Sequence, residues 1–133
     1  MKATGVPKKQ KYRLEFEIKC SPKILYYYIS TADGFEGWFA HKVEERSGDF
    51  IFHWEGSEGS ARMVSRRENQ LVKFRWLIDG KRDENYFQFE IIQDDITSDV
   101  ALIITDFTTE EEKEENILLW KSQAHALMHQ IGS

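Results

Sequence analysis

Two histidines near the end of the chain have a spacing that suggests metal chemistry. His125 and His129 are four residues apart in a predicted C-terminal helix, so both imidazoles lie on one side of it. Such a pair can hold zinc, but zinc sites use three or four protein ligands. The sequence has no HExxH motif and only one cysteine. The negative end of the helix dipole explains the pair adequately, so we predict neither a metal nor a cofactor.

The acidic residues suggest turns and solvent-facing positions rather than catalysis. Asp94, Asp95 and Asp99 lack the central glycine and terminal glutamate of a calcium loop. Glu55 and Glu90 would act as general bases only inside an apolar pocket, and strand alternation puts both on the solvent face. The sequence also lacks GxSxG and phosphate-loop motifs. We therefore predict no catalytic residue.

The sequence is rich in aromatic residues, which can form a binding site or a solid core. Phe50, Phe52 and Trp54 alternate in GDFIFHWEGSEG, so a strand turns all three rings to one side. Such side chains, with a few polar groups, form pockets for small apolar molecules, but large rings also fill solid cores. Both interpretations stay open here. The candidate ligand-binding residues are Trp38, Phe52, Trp54, Met63, Phe74, Trp76, Phe87, Phe89, Trp120, Ala124 and Met128.

Composition indicates one folded domain. The chain has 133 residues, 41% of them hydrophobic and 31% charged, which is enough for one real core. Its net charge of −5 argues against nucleic-acid binding. Cys20 is the only cysteine, which excludes an internal disulfide and suits a reducing compartment. The N-terminus lacks the apolar segment of a secretory signal, and no apolar run suits a membrane span. We therefore predict a cytoplasmic protein.

Alternating apolar and polar residues predict an antiparallel sheet. YRLEFEIK (12–19) alternates, as a strand with one solvated face does. Ser21-Pro22 predicts the start of a helix, and TADGFEGWFA a short second helix or turn. Six more strands, joined by turn signals, are predicted in HKVEE, DFIFHWE, SARMVSRR, LVKFRWL, ENYFQFEII and DVALIITDF. Residues 1–11 are predicted to be a flexible tail and 12–133 a single domain.

A long helix is predicted to end the chain. Thr109 and Glu112 have capping-box spacing, and Gly132 is a plausible stop. One apolar stripe runs along the helix, formed by Ile117, Trp120, Ala124, Leu127, Met128 and Ile131. A sheet with one apolar face and a helix with one apolar stripe pack as two layers. We therefore expect the aromatics of the DFIFHWE strand to face this helix.

The element order, with particular residues, resembles the START-like (SRPBCC, helix-grip) superfamily. The residues that carry the similarity are Ser21-Pro22, Trp38-Phe39, the Gly48, Phe50, Phe52, Trp54 series, Phe74 with Trp76, and Trp120. The similarity is greatest to the branch of the activator of the heat-shock-protein-90 ATPase, although KSQAHALMHQIGS after Trp120 departs from that branch. It covers residues 12–131. It implies an α+β fold in which a curved, seven-stranded antiparallel sheet wraps a long C-terminal helix, with two short helices after the first strand.

The resemblance implies three alternative functions. The leading hypothesis is non-enzymatic binding of a small hydrophobic molecule, such as a lipid, between the sheet and the C-terminal helix. The second is a chaperone-activator-like protein-interaction module. The third is a cyclase or hydrolase-like enzyme, which needs a polar group aimed into the cavity. The interaction module would use a basic patch on the outer sheet face, formed by Arg62, Arg66, Arg67, Lys73 and Arg75. The first strand, as a sheet edge, could also pair across a homodimer.

Overall fold

The computed structural model describes residues 8–132. Within them, seven strands form one antiparallel sheet in the order β1-β7-β6-β5-β4-β3-β2. The elements are β1 (Gln10–Glu17), α1 (Pro22–Ser30), α2 (Ala32–Phe35), β2 (Lys42–Arg46), β3 (Asp49–Trp54), β4 (Ser57–Arg67), β5 (Leu71–Ile78), β6 (Lys81–Gln93), β7 (Val100–Thr108) and α3 (Lys113–Ile131). This arrangement confirms the predicted α+β helix-grip architecture.

The first strand begins earlier than its sequence pattern suggests. Gln10 and Lys11 pair with Thr108 and Phe107 of β7, so β1 starts two residues before Tyr12. Cross-strand hydrogen bonds extend the strand into residues that the alternation does not mark. Of the other residues of the predicted tail, Lys8 and Lys9 are exposed and belong to no strand or helix, and residues 1–7 lie outside the described residues.

The two short helices begin at hydroxyl caps. The Ser21 hydroxyl accepts a hydrogen bond from the Ile24 amide at 3.2 Å, just ahead of Pro22, as the sequence predicts. The Thr31 hydroxyl accepts one from the Gly34 amide at 2.9 Å. Gly34 is packed so tightly that an added Cβ would lie 2.1 Å from the Tyr27 carbonyl oxygen. The position therefore requires glycine, because α1 and α2 meet there backbone to backbone.

A cluster of aromatic rings fills the space under the sheet. Phe35, at the end of α2, is fully buried and its ring lies 6.0 Å from that of Phe50 and 5.4 Å from that of Phe52. Phe39 lies 4.8 Å from Phe52 and stacks on Trp120 of α3 at 5.7 Å. The contact from β3 to α3 therefore runs through Phe39, which sequence alternation alone did not foresee.

The long helix has the expected buried face and stop. Trp120, Ala124 and Leu127 are its buried residues. Gly132 ends it in the left-handed conformation, with φ of 85°. The Thr109 hydroxyl accepts from the Glu112 amide at 3.2 Å, but this capping contact closes a turn just ahead of the regular helix, which begins at Lys113. No helix within residues 8–132 is long and apolar enough to span a membrane.

Candidate functional site

A pocket of about 460 Å³ lies between the first half of α3 and the strands β3, β4, β5 and β7. Its wall is mainly apolar, with a few polar groups of which one is ionisable. The lining residues are Phe39, Trp54, Ser57, Trp76, Asp106, Asn116, Leu119, Trp120 and Gln123. This combination matches the general composition of sites for small molecules.

Each of the three indoles in this wall is backed by a core phenylalanine. Trp54 stacks on Phe52 at 5.9 Å with 30° between the ring planes. Trp120 stacks on Phe39 at 5.7 Å and 23°. Trp76 lies 4.7 Å from Phe87 at 38°. The core thus supports each ring of the wall, in which Trp54 and Trp76 are partly buried and Trp120 is nearly fully buried.

Backbone features of the sheet bring two of these indoles together. Trp76 lies at a register shift between Arg75 and Leu77 of β5, and such irregularities re-aim side chains. Gly59 of β4 lies between the indoles, because a Cβ there would be 3.2 Å from Trp54 Cζ3 and 3.3 Å from Trp76 Cζ3. The absence of a side chain at Gly59 therefore allows the two rings to converge.

Hydrogen bonds hold the aromatic wall in position. The Phe39 carbonyl oxygen accepts from Trp54 Nε1 at 2.6 Å and from Gln123 Nε2 at 3.1 Å. Asn116 Nδ2 donates to the Thr108 hydroxyl, which ties the start of α3 to the end of β7. The polar groups in the wall thus orient it while leaving its surface largely apolar.

Asp106 is the ionisable group of the pocket. Its Oδ2 accepts from Trp120 Nε1 at 2.9 Å and from the Tyr12 hydroxyl at 3.3 Å, and its Oδ1 accepts from the Phe107 amide at 2.8 Å. Burial raises the pKa of Asp106 above the usual aspartate range, and the three hydrogen bonds and the charge of Lys9 oppose the shift. Burial, followed by the negative charge of Asp106, raises the pKa of Tyr12.

Sequence reasoning missed Asp106, although β7 carries a signal for it. Leu102 and Ile104 are fully buried, and Asp106 follows at the next alternate position on the same face. An acidic residue that continues an apolar face marks a polar group directed inward. The prediction of solvent-facing carboxylates covered Glu55 and Glu90 and did not include Asp106. Glu90, by contrast, is paired 3.6 Å from Arg13.

The predicted ligand-binding residues divide into wall, core and other positions. Trp54, Trp76 and Trp120 line the pocket. Phe52, Phe74, Phe87, Phe89 and Ala124 are fully buried in the core, and Trp38 is nearly so. Met63 lines a separate surface groove beside Phe50, and Met128 packs against the core while partly exposed. The pocket adds Phe39, Ser57, Asp106, Asn116, Leu119 and Gln123, which the candidate set did not include.

Much of the predicted basic patch is engaged within the protein. Arg62 forms a two-point contact with the Asp49 carboxylate, at 2.6 and 2.9 Å, and this contact lowers the pKa of Asp49. Arg75 donates to the carbonyls of Asp83 and Glu84, and Lys73 Nζ lies 4.1 Å from the centre of the Tyr86 ring. The remaining members, Arg66 and Arg67, are exposed at the end of β4.

The histidines singled out by their spacing are both solvent-facing. His125 and His129 are exposed on α3. In the part of the chain that the structure describes, no three histidine, cysteine, aspartate or glutamate side chains are grouped to hold a metal ion.

Comparisons with known proteins agree with this architecture. A family model described as a START-like superfamily domain matches residues 6–133. The NMR structure of BfR322 from Bacteroides fragilis is 31% identical, with 93% of this chain and 92% of that one covered and a TM-score of 0.65. The Aha1 dimer of Colwellia psychrerythraea is 16% identical (90% and 98% covered, TM-score 0.68). Protein MLL2253 of Mesorhizobium loti is 12% identical (92% and 97% covered, TM-score 0.75). At these identities the last two show the fold alone. The search of curated proteins finds no match.

Proposed function

Because the chain belongs to the START-like superfamily, as its sequence predicted, we propose that it binds a small hydrophobic molecule non-enzymatically between α3 and the sheet. The pocket of about 460 Å³, with its three indoles, is the observation that carries this proposal. Its volume falls within the range of roughly 300–1,000 Å³ that is usual for small-molecule sites. Its aromatic walls supply apolar contact, and Ser57, Asp106, Asn116 and Gln123 supply points of orientation.

The preformed shape of the pocket supports binding. Trp54 and Trp120 are tethered by their Nε1 groups to the Phe39 carbonyl and to Asp106. Leu119 remains 57% exposed at the mouth, so an apolar ligand would bury surface that now contacts water. A wall that is already ordered loses little conformational freedom on binding, which favours affinity.

The chaperone-activator-like alternative has less support. It relies on a free basic patch, whereas Arg62 and Arg75 donate to groups of the protein itself. Arg66 and Arg67 alone offer a smaller surface.

A homodimer would add a second copy at β1 or β2, the two edges of the sheet. Light scattering of the purified protein over a concentration series measures this directly.

A second candidate function, a cyclase or hydrolase-like enzyme, is favoured by one observation. Asp106 is a carboxyl group with a raised pKa in an apolar wall, a setting that suits a general acid or base. Both of its oxygens already accept hydrogen bonds from the protein's own donors. Binding requires no further chemistry of this group, so we place binding first.

The first experiment is native mass spectrometry of the protein purified from its own cells, followed by release and identification of any bound molecule. Thermal-shift screening against lipids and small aromatics complements it, because a ligand of the folded state raises the melting temperature. We expect a co-purifying apolar molecule or a clear stabilisation by library members. An empty protein whose melting temperature no library member changes would contradict the proposal.

Two neighbouring leucines provide a matched pair of variants. Leu118 and Leu119 are 60% and 57% exposed on α3, but only Leu119 lines the pocket. We expect Leu119→Trp to obstruct the mouth and abolish the ligand-induced melting shift. Leu118→Trp should retain the shift, since it adds the same ring outside the pocket. Equal loss in both variants would mean that the pocket is not the site.

A further inference from the structure

The negative charge of the pocket wall has no bonded cation. Asp106 is the only acidic or basic side chain in the lining. Its hydrogen-bond donors are the uncharged groups of Tyr12, Phe107 and Trp120. None of the ion pairs found among residues 8–132 includes it, although Lys9 acts on it through longer-range attraction. A carboxylate held in an apolar wall gains from an opposite charge brought close to it.

The aromatic groups around Asp106 have the character of a cation site. Trp54, Trp76 and Trp120 all line the pocket, each packed against a core phenylalanine. The face of an aromatic ring is its negative side, and indole attracts cations more strongly than the other protein rings do. Several indoles and a carboxylate in one wall favour a positive ligand group over a neutral one.

The chain next to the mouth is also acidic. The turn before α3 and its first residues contain Glu110, Glu111, Glu112, Glu114 and Glu115, with a single basic residue, Lys113, among them. All are exposed, and Asn116 of the pocket follows directly. Lys121, one residue beyond Trp120, is also exposed. Because acidic groups predominate here, the local field attracts cations and repels anions.

We propose that the pocket takes an organic cation, a quaternary ammonium group with an apolar body, with its charge beside the indoles and the Asp106 carboxylate that line the pocket. This inference rests on the proposed binding function and names the ligand class of the same site. The apolar body would contact Phe39 and Leu119, and a quaternary ammonium group has no N–H, so it needs no hydrogen-bond acceptor. Lipids and aromatics without a positive charge would bind more weakly.

A pair of molecules of the same shape isolates the contribution of charge. Phenyltrimethylammonium and tert-butylbenzene differ mainly in the positive charge, and binding of both is followed by tryptophan fluorescence and calorimetry. We expect the cation to bind wild-type protein at least about tenfold more tightly. Asp106→Asn keeps the shape of the side chain and removes its charge, so we expect it to reduce that preference severalfold. Leu119→Trp should abolish binding of the cation, and Leu118→Trp should leave it unchanged.

The outcomes separate this inference from the proposed function. Equal or tighter binding of tert-butylbenzene to wild-type protein would overturn the cation proposal and leave apolar ligand binding supported. Failure of both molecules to bind would also overturn it, and the proposed function would then be decided by the mass-spectrometry and library experiment. The comparison in wild-type protein tests the proposal even where Asp106→Asn fails to fold.

Discussion

The indole Nε1 of Trp120 donates a 2.9 Å hydrogen bond to Oδ2 of Asp106, which joins α3 to β7 at the wall of the pocket. The same Trp120 ring stacks on Phe39 from the segment between α2 and β2. One side chain therefore connects the long helix to the sheet and to the aromatic core. The contacts that position the helix are also contacts that shape the pocket.

Replacing Trp120 with phenylalanine is expected to destabilise the protein. Trp120→Phe removes a donor to a buried carboxyl group, a loss that we expect to lower the free energy of unfolding by roughly 2–3 kcal/mol. Urea denaturation measures the change. Trp76→Phe is the matched control, because Trp76 lines the same pocket and its indole is not bonded to Asp106. Equal losses in the two variants would assign the effect to lost ring area instead of the hydrogen bond.

Asp106 is expected to make stability depend on pH in the acidic range. Its pKa is raised in the folded state, mainly by burial, above the value of about 3.9 in an unfolded chain. Between these two values the folded state binds more protons, so the contribution of Asp106 to stability is present at low pH and is lost as pH rises through the folded pKa.

The Asp106→Asn variant isolates this contribution. We expect the free energy of unfolding of wild-type protein, relative to that of Asp106→Asn, to increase as pH is lowered through the window between the two pKa values. Urea denaturation of both proteins from pH 7 to pH 3 tests it. A constant difference across this range, or a difference that changes in the opposite direction, would contradict the pKa shift.

Phe35 is expected to be among the costliest core positions to truncate. Its ring is fully buried and contacts those of Phe39, Phe50, Phe52 and Phe74 at 5.3–6.0 Å. We expect Phe35→Ala to lower the free energy of unfolding by about 3–5 kcal/mol, because the substitution creates a cavity that the surrounding rings fill only partly. Denaturation by urea measures this loss.

The control for Phe35 is an exposed residue of α3. Leu118 is 60% exposed, and we expect Leu118→Ala to change the free energy of unfolding by no more than about 0.5 kcal/mol. A similarly small change in Phe35→Ala would show that the aromatic cluster is loosely packed.

Gly59 is expected to control the shape of the pocket more than the stability of the fold. A Cβ at this position would press on the indoles of Trp54 and Trp76 at 3.2 and 3.3 Å, so both rings must shift by a few tenths of an ångström. We expect Gly59→Ala to cost about 1 kcal/mol of stability and to weaken ligand binding severalfold, with altered tryptophan fluorescence. Ser60→Ala, on the opposite face of β4, is the control. Unchanged affinity and fluorescence in Gly59→Ala would contradict this description of the wall.

Local patterns were enough to predict the elements of this fold. Alternation marks each strand because one face of an antiparallel sheet meets the core and the other meets water. Ser21-Pro22 marks the start of α1 and Gly132 the end of α3 for equally local reasons, the missing partners of backbone groups at helix ends. These signals, with the START-like resemblance, predicted the sheet, the helices and their order.

The site was only partly predictable, because the face of a strand on which a residue lies does not determine how deeply that residue is buried. Phe52 and Trp54 share one face of β3, yet Phe52 is fully buried under Phe39 while Trp54 reaches the pocket. What separates them is the segment that carries Phe35 and Phe39 under the sheet, a long-range contact without a local pattern.

The sequence by itself determined which residues face the interior of this protein. The tertiary structure decided which of them line a pocket and which fill the core. Asp106 is the sharpest example. The alternation of β7 places Asp106 on the inward face. Its hydrogen bonds, however, come from Tyr12 of β1 and Trp120 of α3, which are far away along the chain. Burial and charge at such a position are set by neighbours that only folding brings together, so the chemistry of the pocket belongs to the tertiary structure.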